Sequence, residues 1–255
     1  MSDSPITPNL PQANHSEEVV ISEKALQKAE EFIEAEEGAA NKLKGWLGVL
    51  VTTLAVVMSV FHLYSAYAIV PTQILRPIHV GFVLVLCFLM FPIANKYRHR
   101  IMWWDWLAAL LSIAVVVYLI LGVDDFTDRN TLPEFWDVVL GVALIVMVME
   151  AMRRTNGWIM PIITGCFILY ALYGPLLPAP WTHKGYAVGR LVGVMYMTLE
   201  GIYGVAVDVS SSLIILFTIF GAFLQYTGAG KFFIDWSYSV LGGKPSNVGR
   251  TIVLS

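Results

Sequence analysis

Long apolar runs separated by short polar joints dominate this chain from Trp46 onward. Six runs stand out: Trp46 to Ala66, Ile78 to Ala94, Trp103 to Val123, Phe135 to Ala151, Gly157 to Leu177 and Ile202 to Tyr226. An α-helix needs about 20 apolar residues to cross the hydrocarbon core, and these runs come close to that length. They are continuous rather than alternating, which excludes strands of a membrane barrel, where about ten residues alternate in polarity. The pattern predicts an all-α integral membrane protein, a polytopic bundle of about six transmembrane helices. Trp46, Trp103, Trp104, Trp106, Trp136 and Trp158 lie near run ends, as aromatics at a membrane interface do.

The segment ahead of the first run is of another kind. It carries nine of the chain's 19 acidic residues, among them Glu17, Glu18, Glu30, Glu31, Glu36 and Glu37. Val20, Leu26, Phe32 and Ile33 are spaced for one apolar stripe, so residues 1–44 are expected to form a polar, partly helical arm. An acidic face is repelled by an anionic leaflet, which favours a solvated extension over a membrane-surface helix. No cleavable signal peptide is expected, because the first apolar run begins only near Trp46, behind this polar stretch.

Charge in the joints sets the expected orientation, because short cytoplasmic loops retain Lys and Arg. Lys42 and Lys44 precede the first run; Lys96, Arg98 and Arg100 lie between the second and third; Arg153 and Arg154 lie between the fourth and fifth. The alternate joints carry only Arg76 and Arg129, the latter beside Asp124, Asp125 and Asp128. These joints place the amino terminus in the cytoplasm. Gly185 to Thr198, preceded by Lys184 and bearing Arg190, is open to two readings, an interfacial helix or an extra crossing. The interfacial reading is preferred because it leaves Lys231, Lys244 and Arg250 inside.

The chain is 57% hydrophobic and 14% charged, against about 25% charged in soluble domains. Its net charge of -3 averages the arm with the membrane body, and no basic patch points to nucleic acid. Cys87 and Cys166 sit inside apolar runs as small hydrophobes, which implies no disulfide. No His-Glu-x-x-His, Walker or nucleophile-elbow pattern occurs, so neither a catalytic residue nor a metal site is assigned and no enzyme is expected.

Polar groups inside the apolar body are therefore the candidate functional residues, since charge at membrane depth is costly. Glu150 stands three and four residues before Arg153 and Arg154, on one helical face, and is read as a structural ion pair ending the fourth helix. His62 and His79 are read as helix-packing histidines ahead of a proton relay. Glu200 precedes Gly201 and Gly204, with Asp208 and Ser210 to Ser212 following. Broken helices with nearby carboxylates line the paths of secondary transporters, which makes Glu200, Asp208 and Ser210 pathway candidates. A cap at the outer interface remains the other reading of Glu200.

Several blocks in order carry a family resemblance: His62-Leu63-Tyr64, Arg76-Pro77-Ile78-His79, Glu150-Ala151-Met152-Arg153-Arg154, Gly201-Ile202-Tyr203-Gly204 and Phe220-Gly221-Ala222-Phe223-Leu224. The last continues into Gly228-Ala229-Gly230-Lys231-Phe232-Phe233-Ile234-Asp235. From about Trp46 to Gly243 the chain resembles the fused permease of tripartite ATP-independent periplasmic (TRAP) transporters, in the subgroup served by TAXI-type binding proteins. The resemblance implies a secondary transporter of the bacterial inner membrane. It would take an organic anion, often a carboxylate, from a periplasmic solute-binding protein and import it on a cation gradient, usually Na+. By the same resemblance, residues 45–155 look like the small scaffold permease and residues 156–255 like the start of the large transport domain. The family's re-entrant hairpins would follow Gly243, so the chain is expected to be the amino-terminal portion of a longer permease. The remaining helices of that permease and the lipid bilayer are its other expected partners. The alternative function is a membrane scaffold or assembly subunit without its own transport path.

Overall fold

The computed structural model describes residues 43–94, 97, 101–122 and 129–240. The amino-terminal arm up to Lys42, the basic joint residues Lys96, Arg98 and Arg100, the acidic residues Asp124, Asp125 and Asp128, and the stretch from Leu241 to Ser255 lie outside the described residues.

Among the described residues the regular structure is helical, with no strand. The helices are α1 (Trp46–Tyr67), α2 (Thr72–Met90), α3 (Trp103–Leu121), α4 (Phe135–Asn156), α5 (Ile159–Tyr173), α6 (Val188–Met197), α7 (Val205–Val209), α8 (Ile215–Tyr226) and α9 (Ala229–Val240). A short 3-10 turn, Gly174–Leu176, extends α5, and a π-helical turn, Ser210–Ile214, joins α7 to α8. Six helical stretches are long and apolar enough to cross a membrane: α1 to α4, Ile159–Leu176, and the continuous Val205–Tyr226. At 1.5 Å per residue, the 19 residues of α2 span about 29 Å, the thickness of a hydrocarbon core.

The boundaries differ from the apolar runs where polar residues prolong a helix. Pro71 precedes α2, which starts at Thr72, so Arg76 and Pro77 are helical rather than part of a joint. Pro77 is the sixth residue of the helix and has no amide to reach the Gln73 carbonyl, so it interrupts the ladder of α2 there. The fourth helix continues past Ala151 to Asn156 and ends at Gly157, whose φ of 77° lies in the left-handed region that favours glycine. The sixth apolar run begins later than expected, because 198–204 form a turn.

Two acidic residues start their helices in the same way. Asp105 accepts the Met102 amide at 3.0 Å and Asp137 accepts the Glu134 amide at 2.9 Å, each three residues into its helix. A carboxylate here satisfies an orphan amide and meets the positive end of the helix dipole. Both side chains are buried and both take an arginine: Arg154 lies 2.6 Å from Asp105, and Arg129 lies 3.2 Å from Asp137.

The core gathers on α2. Val80, Leu84 and Phe88 pack with Val115 and Leu119 of α3, Leu144 and Met147 of α4, and Val192, Tyr196 and Met197 of α6. Helix α6 has ten residues, about 15 Å, and cannot cross the hydrocarbon. It does not rest on the surface either. Its apolar face is buried against α4, where Gly141 leaves room that a Cβ would take from the Val192 side chain. The segment after Lys184 is thus a short helix docked into the bundle, a solution between the two readings of the sequence. Helices α1, α5 and α8 leave most of their apolar side chains exposed, including Val56, Val60, Phe167, Phe217 and Phe223, as lipid- or helix-facing surfaces do.

Candidate functional site

Helix α2 carries Arg76 and His79 three residues apart, so both project from one face. That face meets residues 203–212, the end of the turn and the helix up to its π-turn. The Arg76 guanidinium lies 2.9 Å from the Asp208 carboxylate through Nη2, donates to it from Nε at 3.1 Å, and donates from Nη1 to the Tyr203 carbonyl at 3.0 Å. A rigid donor fork suits this geometry, because it can serve a carboxylate and a carbonyl at once. Asp208 in turn offers its main-chain carbonyl to the Ser211 and Ser212 hydroxyls, at 3.2 and 2.6 Å.

One turn further along α2, His79 joins a chain of four hydrogen-bonded groups. His62 Nδ1 is 2.7 Å from the Met58 carbonyl, His62 Nε2 is 2.9 Å from His79 Nδ1, and His79 Nε2 is 3.1 Å from Ser210 Oγ. A carbonyl only accepts, so His62 donates from Nδ1. With both rings neutral, His62 Nε2 then accepts from His79 Nδ1, and His79 Nε2 accepts the Ser210 hydroxyl. Both histidines are buried, His62 fully. The chain ties α1 and α2 to the first residue of the π-helical turn, and π-turns break the regular ladder of a helix, often at functional positions.

The structure therefore brings Asp208 and Ser210 together on α2 and leaves Glu200 apart. Glu200 is exposed in the turn after α6, and among the described residues its carboxylate has no ion-pair or hydrogen-bond partner. The nearby glycines serve close packing. A Cβ at Gly201 would collide with the backbone of Met195, and one at Gly204 would crowd the Gly201 and Glu200 carbonyls. Sequence reasoning placed Arg76 in a joint and so missed it as the partner of Asp208; its i, i+3 spacing from His79 was the available signal.

At the other end of α2, Glu150 bonds Arg153 at 2.7 Å and Arg154 at 2.8 Å. The cluster reaches further than its sequence spacing, because Arg154 also holds Asp105 and the Phe91 carbonyl, and Arg153 holds the Ile93 carbonyl. These contacts fasten the ends of α2, α3 and α4 together. Among the described residues no group of three His, Cys, Asp or Glu side chains could hold a metal ion.

Comparison with known families bears on the carboxy-terminal part of the chain, which holds the π-turn. Residues 143–255 match the family described as tripartite ATP-independent periplasmic transporter, DctM component. The DctM-like segment begins inside α4 and takes in Glu150, α5, the docked α6, Glu200 and the π-turn. No curated protein and no solved structure matches the chain. The four hydrogen-bonded groups and the Arg76–Asp208 pair thus join residues before the DctM-like segment to residues within it.

Proposed function

We propose that this chain is the permease component of a binding-protein-dependent secondary transporter that imports an organic anion, a carboxylate, on a cation gradient. The match of residues 143–255 to the DctM component carries the reading. Six membrane-length helices, one of them carrying a π-turn at Ser210–Ile214, agree with it, since π-turns recur at functional positions. The chain is read as a fused permease of the TAXI-served subgroup, placed in the bacterial inner membrane with its amino terminus in the cytoplasm. Na+ is the proposed coupling ion, and a periplasmic solute-binding protein and the remaining permease helices are the proposed partners. Glu200, Asp208 and Ser210 are the proposed pathway residues, with residues 45–155 as the scaffold that holds them.

One observation favours the second reading, a scaffold without its own path: the Asp208 carboxylate is already neutralised by Arg76. Deletion and complementation in the native host separates the two. Loss of uptake of one carboxylate class, restored by the intact gene and not by Asp208→Asn or Ser210→Ala, supports the permease reading. Full restoration by both variants supports the scaffold.

A further inference from the structure

Helix α9 begins where a membrane-length stretch ends. Val205–Tyr226 is long and apolar enough to cross the hydrocarbon, so Tyr226 marks the level at which hydrocarbon gives way to headgroups. Two residues on, Gly228 has a φ of 73°, a left-handed conformation that ends the helix and turns the chain. Leu224 and Gln225 of α8 then line one cavity with Gly230, Phe233 and Ile234 of α9, as two helices meeting at a bend do. Helix α9 has 12 residues, about 18 Å, and is too short to cross again.

The residues of α9 sort into sides. At about 100° per residue, Ala229, Phe232, Phe233 and Trp236 share roughly 100° of the helix surface, and Lys231 and Asp235 lie on the other side with Tyr238. The aromatic face is open: Phe232 is 63% exposed, Phe233 50% and Trp236 53%. Lys231 and Asp235 are exposed as well. Ser237 is buried, and its hydroxyl turns back on the Phe233 carbonyl at 2.8 Å, so it asks for no partner outside the helix. An exposed stripe of Phe and Trp opposite a charged side is the pattern of a helix that lies in a membrane interface.

We propose that α9 lies along the membrane surface and binds the lipid interface, with Phe232, Phe233 and Trp236 among the upper acyl chains and Lys231 and Asp235 in water. Place decides for lipid over a further protein: the end of the preceding span holds α9 at the level where headgroups meet hydrocarbon, and aromatic rings favour that level. Lys231 and Asp235 cancel in charge, so the helix binds through apolar area and not through anionic headgroups. An uncharged phosphatidylcholine surface is therefore a sufficient partner. The inference rests on the span that ends at Tyr226 and does not depend on the transport reading.

The test places the full chain in phosphatidylcholine vesicles. Cys87→Ala and Cys166→Ala remove the native thiols. Lys231→Cys, Phe232→Cys, Phe233→Cys, Asp235→Cys and Trp236→Cys, one at a time, then carry a nitroxide whose collisions with oxygen, enriched in lipid, and with a water-soluble nickel chelate report depth. The ratio of oxygen to nickel collisions is expected to be severalfold higher at 232, 233 and 236 than at 231 and 235, and unchanged when anionic phosphatidylglycerol is added. Nickel collisions at all five positions would put α9 in water and overturn the proposal; uniformly high oxygen would make it a deep segment and overturn it too. Shielding of 232, 233 and 236 from both reagents would show that protein covers this face, a third overturning result. A second measurement needs no cysteine. Phosphatidylcholine brominated near the headgroup should take less tryptophan emission from Trp236→Phe than from the parent, by the share of that one indole; an equal loss would contradict the placement.

Discussion

Arg76 and Asp208, 132 residues apart in the chain, meet at 2.9 Å where α2 faces α7. The arginine is largely buried and the aspartate about two-fifths exposed, so water screens the pair only in part. Because Arg76 also holds the Tyr203 carbonyl, losing it frees two groups, whereas losing the Asp208 charge frees one.

A double-mutant cycle measures this coupling. Arg76→Ala is expected to destabilise the detergent-solubilised protein more than Asp208→Asn. The two changes together should fall short of their sum by about 1 kcal/mol, as coupled neighbours do. Strict additivity in thermal unfolding would show that the two side chains do not act as a pair.

Arg154 and Asp105 are a harsher case, with side chains 2% and 3% exposed. Removing one partner leaves a buried charge, so Asp105→Leu or Arg154→Leu alone should cost about 3–5 kcal/mol. The double change to Leu should cost much less in charge terms, although Arg154 also serves Glu150 and the Phe91 carbonyl. Melting temperatures of the three variants check this; a double variant worse than either single one would contradict it.

The histidine chain makes a spectroscopic prediction. With Met58 as the terminal acceptor and both rings uncharged, His62 and His79 should each carry the proton on Nδ1. Nitrogen-15 chemical shifts of labelled histidine, assigned with His62→Gln and His79→Gln, check this. In Ser210→Ala, His79 Nε2 loses its donor and its shift should move while His62 stays. An Nε2–H tautomer at either ring would contradict the direction of the chain.

Topology is checked by accessible tags. Tags after Ala66 and Gly122 should report the periplasm, and tags after Asn95 and Arg154 the cytoplasm, as the basic joints require. Reversed labelling at any two positions would overturn the orientation.

Much of the fold was legible because solvent selects it: a run without charge from Trp46 to Ala66 has few stable places outside a bilayer. What hydropathy could not show is where a polar residue joins a helix. Arg76 looked like loop charge, yet it lies in α2, where a local apolar average hides it. The i, i+3 and i, i+4 geometry of Glu150 with Arg153 and Arg154 was readable locally. The Asp105 contact with Arg154, 49 residues away, was not, because it depends on how α3 packs against α4. For the same reason Glu200 and Asp208 looked alike in sequence, although only Asp208 meets an arginine. Gly201 and Gly204 suggested an opened helix, and close packing accounts for them: a Cβ at Gly201 would meet the Met195 backbone, and one at Gly204 the Gly201 and Glu200 carbonyls.

The most direct measurement of the central claim is uptake of a labelled carboxylate by membrane vesicles from cells that produce the complete transporter, with the solute-binding protein added outside. The proposed permease predicts uptake that needs the binding protein, rises with an inward Na+ gradient, stops when an ionophore dissipates that gradient, and falls strongly in Asp208→Asn. Uptake indifferent to both the gradient and the binding protein would contradict it.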